Sequence, residues 1–132
     1  MPLLAPRLLL RIWYAVGWFG FALLIYLSLT PHPIDIPMEN GDKLGHASAY
    51  AVLTFWWLQL MHTWKQRILF AVALLMLGIA IEYVQRWTGY RTFDYYDMLA
   101  DVVGIAAGWL LAWPRTPDLL SWLGGPGLRR VS

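Results

Sequence analysis

Cysteine is absent and charge is scarce. Without cysteine there is no disulfide framework, no thiolate metal site, no cysteine nucleophile and no lipid anchor through sulfur. Only 14% of the 132 residues are charged, where a soluble domain carries about 25%. Eighteen charged side chains among 132 residues give a water-facing surface too little cover. The same shortage, beside 59% hydrophobic residues, excludes a disordered tail. The formal net charge of +2 does not point to nucleic acid, because the bases are scattered between apolar runs instead of gathered on one face. What fits is a small integral membrane protein with room for about four spans.

Apolar runs are what the chain has in plenty. From Ile12 to Thr30 there are 19 residues without a charge, roughly 28 Å of helix at about 1.5 Å per residue. Arg7 and Arg11 ahead of this run imitate a signal peptide. The run exceeds the ~7–15 residues of such a segment, and Thr30-Pro31-His32-Pro33 is a poor cleavage site. It is therefore read as the first span, 12–30. Three more follow at 44–61, 68–84 and 96–113, the last stopped by Pro114. The predicted fold is one all-α, four-helix transmembrane bundle with a cytoplasmic tail over 114–132. In the tail, Leu119 to Leu123 is too short to span. Trp13, Trp56, Trp57, Trp64, Trp87, Trp109 and Trp113 fall mostly near span ends and read as interfacial aromatic belts.

Seven of the ten Lys and Arg residues fall on the N-terminal side of the first span once the chain is threaded through four spans. This predicts both termini in the cytoplasm of a bacterial inner membrane. The intramembrane polar residues then collect at the outer ends: His46 on the second span, Glu82 and Gln85 on the third, Asp97 and Asp101 on the fourth. Such residues face the bundle interior and are functional candidates by default. Asp42 and His46 share one helix face, which Ala49, Tyr50 and Leu53 continue inward. Glu82 and Gln85 share a face with Gly78. Asp97 and Asp101 share one with Gly104 and Gly108, a small-xxx-small pair suited to close helix packing. The expected site is an outward polar pocket.

These residues resemble a known family. Asp42-Lys43-Leu44-Gly45-His46-Ala47-Ser48-Ala49-Tyr50, then Glu82-Tyr83-Val84-Gln85, Arg91, Asp97 and Gly104, are similar to the signature blocks of the VanZ-like membrane proteins. One departure is Asp101, where that family often has Asn. The resemblance implies a small multi-span envelope protein with an association to teicoplanin resistance. By position it makes Asp42, Lys43, His46, Tyr50, Glu82, Gln85, Arg91, Asp97 and Asp101 the binding candidates, and it assigns them no reaction.

Each candidate has a bland reading beside the functional one. His46 is a metal ligand, a general base or a pH-sensing group, or a histidine hydrogen-bonded to a neighbouring acid that holds two helices in register. Glu82 is a general acid or proton carrier, or an i,i+4 partner of Arg86. Asp97 lines the pocket, or caps the fourth helix. Arg91 binds a phosphate or carboxylate, or pairs with Asp94 or Asp97. No tight metal spacing is present, so no metal and no cofactor is assigned. His46, Glu82, Asp97 and Asp101 are merely of suitable type for a cation.

Three functions remain open. The first is a lipid-handling protein whose pocket takes an anionic amphiphile, either a membrane lipid or a lipid-linked envelope precursor, through Lys43 and Arg91. The second is an intramembrane enzyme on a lipid head group, with His46 or Glu82 as acid/base and Asp101 orienting. The third is an accessory subunit whose Gly104/Gly108 face docks a second copy or a partner protein.

Overall fold

The structure is a computed structural model that describes residues 5–30, 41–61, 63–89 and 95–112. Arg91, Asp94, Trp113, the side chain of Asp42 and the tail over 114–132 lie outside the described residues. Four α-helices make the fold: α1 (Pro6–Leu29), α2 (Gly41–Leu58), α3 (Trp64–Thr88) and α4 (Tyr95–Leu111). No strand occurs among the described residues.

Local chemistry sets the ends. Proline in the first turn of α1 loses no hydrogen bond, because that N–H has no intrahelical acceptor. Thr63 and Gln66 form a reciprocal capping box, which starts α3 a turn before the expected residue 68. Gly89 ends α3 at φ 82°, a left-handed conformation that glycine adopts without strain.

Two of the helices, α1 from Arg7 to Leu29 and α3, are long and apolar enough to cross a membrane. The sequence reading expects the same of α2 and α4. However, α4 has 17 residues, and α2 opens on Gly41-Asp42-Lys43 before its apolar part. Both shorter helices give residues to the polar end and to close packing.

α2 and α4 form the tightest pair in the fold. They run parallel, since Lys43 meets Asp97 at one end and Thr54 meets Gly108 further along both helices. Their contact is made of small residues. A Cβ added to Gly104 would strike the backbone oxygen of Ala47 and come within 2.9 Å of Tyr50 Cβ. One turn on, a Cβ on Gly108 would strike the oxygen of Ala51 and come within 2.7 Å of Thr54 Cβ. The face that the accessory-subunit reading reserves for a partner is therefore filled by α2 of the same chain. At the far end, Arg67 donates from Nη1 to the Ala112 oxygen at 3.0 Å and from Nε to the Met61 oxygen at 3.2 Å. One cation thus satisfies carbonyls just beyond the C-terminal ends of both parallel helices.

α1 packs on α2 and α3, and α3 packs on α4. The core holds Leu24, Leu53, Trp57, Leu74 and Ile105. Here the belt reading of the tryptophans is corrected. Trp13 and Trp56 stack with centroids 3.7 Å apart and planes 7° from parallel. Each indole N–H donates to the other residue's carbonyl, both at 3.0 Å. Trp57 is buried against Gly17. Partner availability decided this: an indole that finds an acceptor or a glycine on the next helix is drawn inside. Trp87 (89% exposed) and Trp64 do face outward. So do Phe19, Tyr26, Met76 and Leu110.

The backbone contact at Gly108 makes a prediction. Gly108→Ala forces α2 and α4 apart and lowers stability by about 1–3 kcal/mol, measured by chemical unfolding in detergent. Ala106→Leu, on the exposed side of the same helix, leaves it within about 0.5 kcal/mol. Equal losses from the two substitutions would show that the α2–α4 contact is not the close one described.

Candidate functional site

The polar residues collect at the end of the bundle formed by the C-termini of α1 and α3 and the N-termini of α2 and α4. Antiparallel packing of α3 on α4 brings Gly78, Glu82 and Gln85 to the level where α2 and α4 begin. Nearest the surface, Lys43 Nζ lies 3.6 Å from Asp97 Oδ1. Asp97 sits in the first turn of α4, where its charge suits the positive end of the helix. Its carboxylate faces Lys43 across the interface, a role that the capping reading leaves out.

One turn deeper on both helices, His46 Nδ1 lies 3.2 Å from Asp101 Oδ1. Asp101 is 2% exposed, against 14% for the histidine side chain. The carboxylates of Asp97 and Glu82 also act on His46 through space. Glu82, Gln85 and Tyr50 are buried as fully as Asp101. The carboxylates of Asp101 and Glu82 act on the Tyr50 phenol in turn.

Gly78 makes this convergence possible. A Cβ built there would lie 2.7 Å from Asp101 Oδ2 and 3.0 Å from Tyr50 Oη. α3 thus presents bare backbone where two side chains from α4 and α2 meet. Gln85 closes the cluster toward α1, donating from Nε2 to the Ser28 oxygen. Carbonyls in the last turn of a helix have no intrahelical donor, and Gln85 supplies one.

Of the candidates from sequence, the structure brings His46, Tyr50, Glu82, Gln85 and Asp101 together, with Lys43 and Asp97 above them. Asp42 enters only as a backbone position in the first turn of α2, and Arg91 lies outside the described residues. No group of three or more metal-ligating side chains is close enough to hold an ion among the described residues. The sequence reading passes over three buried polar groups, Ser28, Thr54 and Gln59. Thr54 stands one turn beyond Tyr50 on the same face, so the stripe that starts at His46 contains the signal. Ser28 acts through its carbonyl, and only the count of unpaired helix-end carbonyls could have pointed to it.

A substitution at Gly78 tests the geometry. Gly78→Ala would ordinarily stabilise a helix by about 1 kcal/mol. Here it pushes Asp101 and Tyr50 aside, and the expected net effect is a loss of about 1–2 kcal/mol. In an Asp101→Ala background the same change costs less, because one of the two obstructing groups is gone. Unfolding of the four proteins in one detergent gives the coupling. Additive changes would contradict the contact.

Comparison with known proteins adds three findings. A family model described as VanZ/LLP1 matches residues 9–120. An uncharacterized protein of Schizosaccharomyces pombe is 29% identical over 89 residues, 65% of this chain and 53% of the relative. The chain therefore spans about half the length of that curated relative. No solved structure matches it.

Proposed function

The chain belongs to the VanZ/LLP1 family, and on that premise we propose that it is a small envelope membrane protein that binds the head group of an anionic amphiphile at its polar end. The ligand class is a membrane lipid or a lipid-linked envelope precursor. One observation carries the reading: carboxylates, a tyrosine and an amide converge, buried, beside a part-buried histidine at one end of a bundle whose outer surface is apolar.

Energetics favour a function over mere cohesion. A buried ion pair is commonly no more stabilising than well-packed apolar residues in its place, and polar groups at membrane depth are costly. A bundle selected only to hold together has no need of Glu82 and Asp101. The exposed Phe19, Tyr26, Met76 and Leu110 suit lipid better than water, and all four helices then lie in the bilayer as one bundle.

The opposite end carries Arg7, Arg11, Lys65 and Arg67, and no carboxylate among the described residues. In a bacterial inner membrane that end faces the cytoplasm, with both termini, and the polar end faces outward. Lys43, at the rim of the pocket, and Arg91, in the connection between α3 and α4, supply positive charge for the head group. A link to teicoplanin resistance rests on the family alone.

The test is native mass spectrometry of the full chain purified in detergent. An anionic lipid is expected to remain bound to the wild type. Lys43→Ala with Arg91→Ala should lower its occupancy roughly tenfold, as fits the loss of charge-assisted hydrogen bonds. Matched helical circular dichroism confirms that the variant is folded. A wild type that retains no anionic lipid, or a folded variant that retains as much, would defeat the reading.

A further inference from the structure

Lys43 stands where the backbone does not favour a cation. It lies in the first turn of α2, and the first turn of α4 lies beside it. Two helix N-termini thus present partial positive charge at the level of its ammonium. Asp97 faces it from α4, yet Nζ and Oδ1 are 3.6 Å apart, beyond the reach of a good hydrogen bond. The attraction between these two atoms is Coulombic. The side chains of Lys43 and Asp97 keep 27% and 15% exposure, against 2% for Asp101. This pair is therefore the part of the site that an incoming ligand meets first.

What it costs to open the pair depends on the ligand. An anion that draws Lys43 away leaves Asp97 without this counter-charge, and a part-buried charge that loses its partner is expensive. The groups below cannot make good the loss, because Asp101 on α4 and Glu82 on α3 are carboxylates too. All three act on the same histidine, His46 on α2. Arg86, in the last turn of α3, is exposed. A ligand that brings a cation of its own avoids the cost, since both members of the opened pair then regain an opposite charge.

We propose that the head group bound here carries an ammonium beside its phosphate and inserts between Lys43 and Asp97. The inference rests on the head-group reading above and narrows it. The phosphate meets the Lys43 ammonium, and the ammonium of the ligand meets the Asp97 carboxylate, so one ion pair becomes two. The ligand class is an amino-acid or amino-alcohol phosphate ester, or a lipid-linked precursor with a free amine close to its phosphate. Asp97 is the residue that sets this specificity.

The full chain is purified in a non-ionic detergent, phosphatidylserine and phosphatidylglycerol are titrated in, and occupancy is read by native mass spectrometry. The two lipids have the same net charge and both carry a phosphate, but only phosphatidylserine has an ammonium. The wild type should bind phosphatidylserine about fivefold or more tightly than phosphatidylglycerol. Asp97→Asn, nearly unchanged in size, should bring the ratio close to one by weakening phosphatidylserine, while phosphatidylglycerol holds or gains. Asp97→Glu, which keeps the charge, should retain the preference, and Lys43→Ala should weaken both lipids. Helical circular dichroism checks that each variant is folded.

Equal binding of the two lipids by the wild type overturns the donor-cation requirement while the head-group site stands. So does a preference that survives Asp97→Asn, or a phosphatidylserine affinity that rises in that variant, because Asp97 would then be repelling the serine carboxylate instead of holding the ammonium. A folded Lys43→Ala that binds both lipids as well as the wild type removes the phosphate from Lys43 and overturns the insertion. Should neither lipid bind the wild type, the head-group reading falls with it.

Discussion

Everything at the polar end depends on how closely α2 and α4 approach. Their backbones meet over Gly104 and Gly108 with no side chain between them. Any residue larger than glycine at these positions would move α4 outward. The reach of His46 to Asp101, and of Lys43 to Asp97, would lengthen with it. In the membrane bundle proposed above there is no hydrophobic gain from bringing two helices together, so van der Waals fit and interhelical hydrogen bonds must supply the attraction. The glycines provide the first, and the polar pairs on the same face provide the second. The packing surface and the site are one surface, read at different depths. Gly78 extends the same device to α3 by giving Asp101 and Tyr50 room on its backbone side.

The parallel course of α2 and α4 has an electrostatic side. Two helix N-termini lie together at the polar end and two C-termini at the other. Alignment of this kind concentrates partial positive charge where Asp97 and Asp101 stand and partial negative charge where Arg67 stands. Asp97, in the first turn of α4, therefore lies where the backbone tolerates an acid best, whereas Glu82 near the C-terminal end of α3 does not, and the cation that bonds the Met61 and Ala112 carbonyls lies where it is needed.

The four helices are legible in the spacing of charge-free runs, and so is the collection of polar residues at one level. Periodicity places a residue on a face and a depth, and it is silent about what stands opposite. His46 and Asp101 are 55 positions apart, and only the handedness and register of α2 on α4 make them neighbours. Lys43 reads as a ligand cation in the sequence, and in the fold it already has Asp97 as a neighbour. Trp13, Trp56 and Trp57 show the same limit from the apolar side. Their positions near span ends suit a belt, but the complement on the adjacent helix decides which indoles turn inward: carbonyls for Trp13 and Trp56, a glycine for Trp57. The length of α4 is a related case: the helix opens at Tyr95, one residue ahead of the expected 96, and ends at Leu111, two residues short of the expected 113.

The indole pair joining α1 to α2 has a use of its own. Aromatic rings generally avoid a full face-to-face overlap, yet Trp13 and Trp56 are held stacked and nearly parallel at 3.7 Å by their two reciprocal hydrogen bonds. Two chromophores at that separation, each on a different helix, couple their electronic transitions. Any rotation of one transition moment against the other splits the coupled absorption into bands of opposite sign in circular dichroism, and the splitting vanishes once the rings part. The protein thus carries an optical gauge of whether α1 is seated on α2. That gauge sits at the end of the bundle opposite the polar cluster, where it can be read without a label and without touching the site.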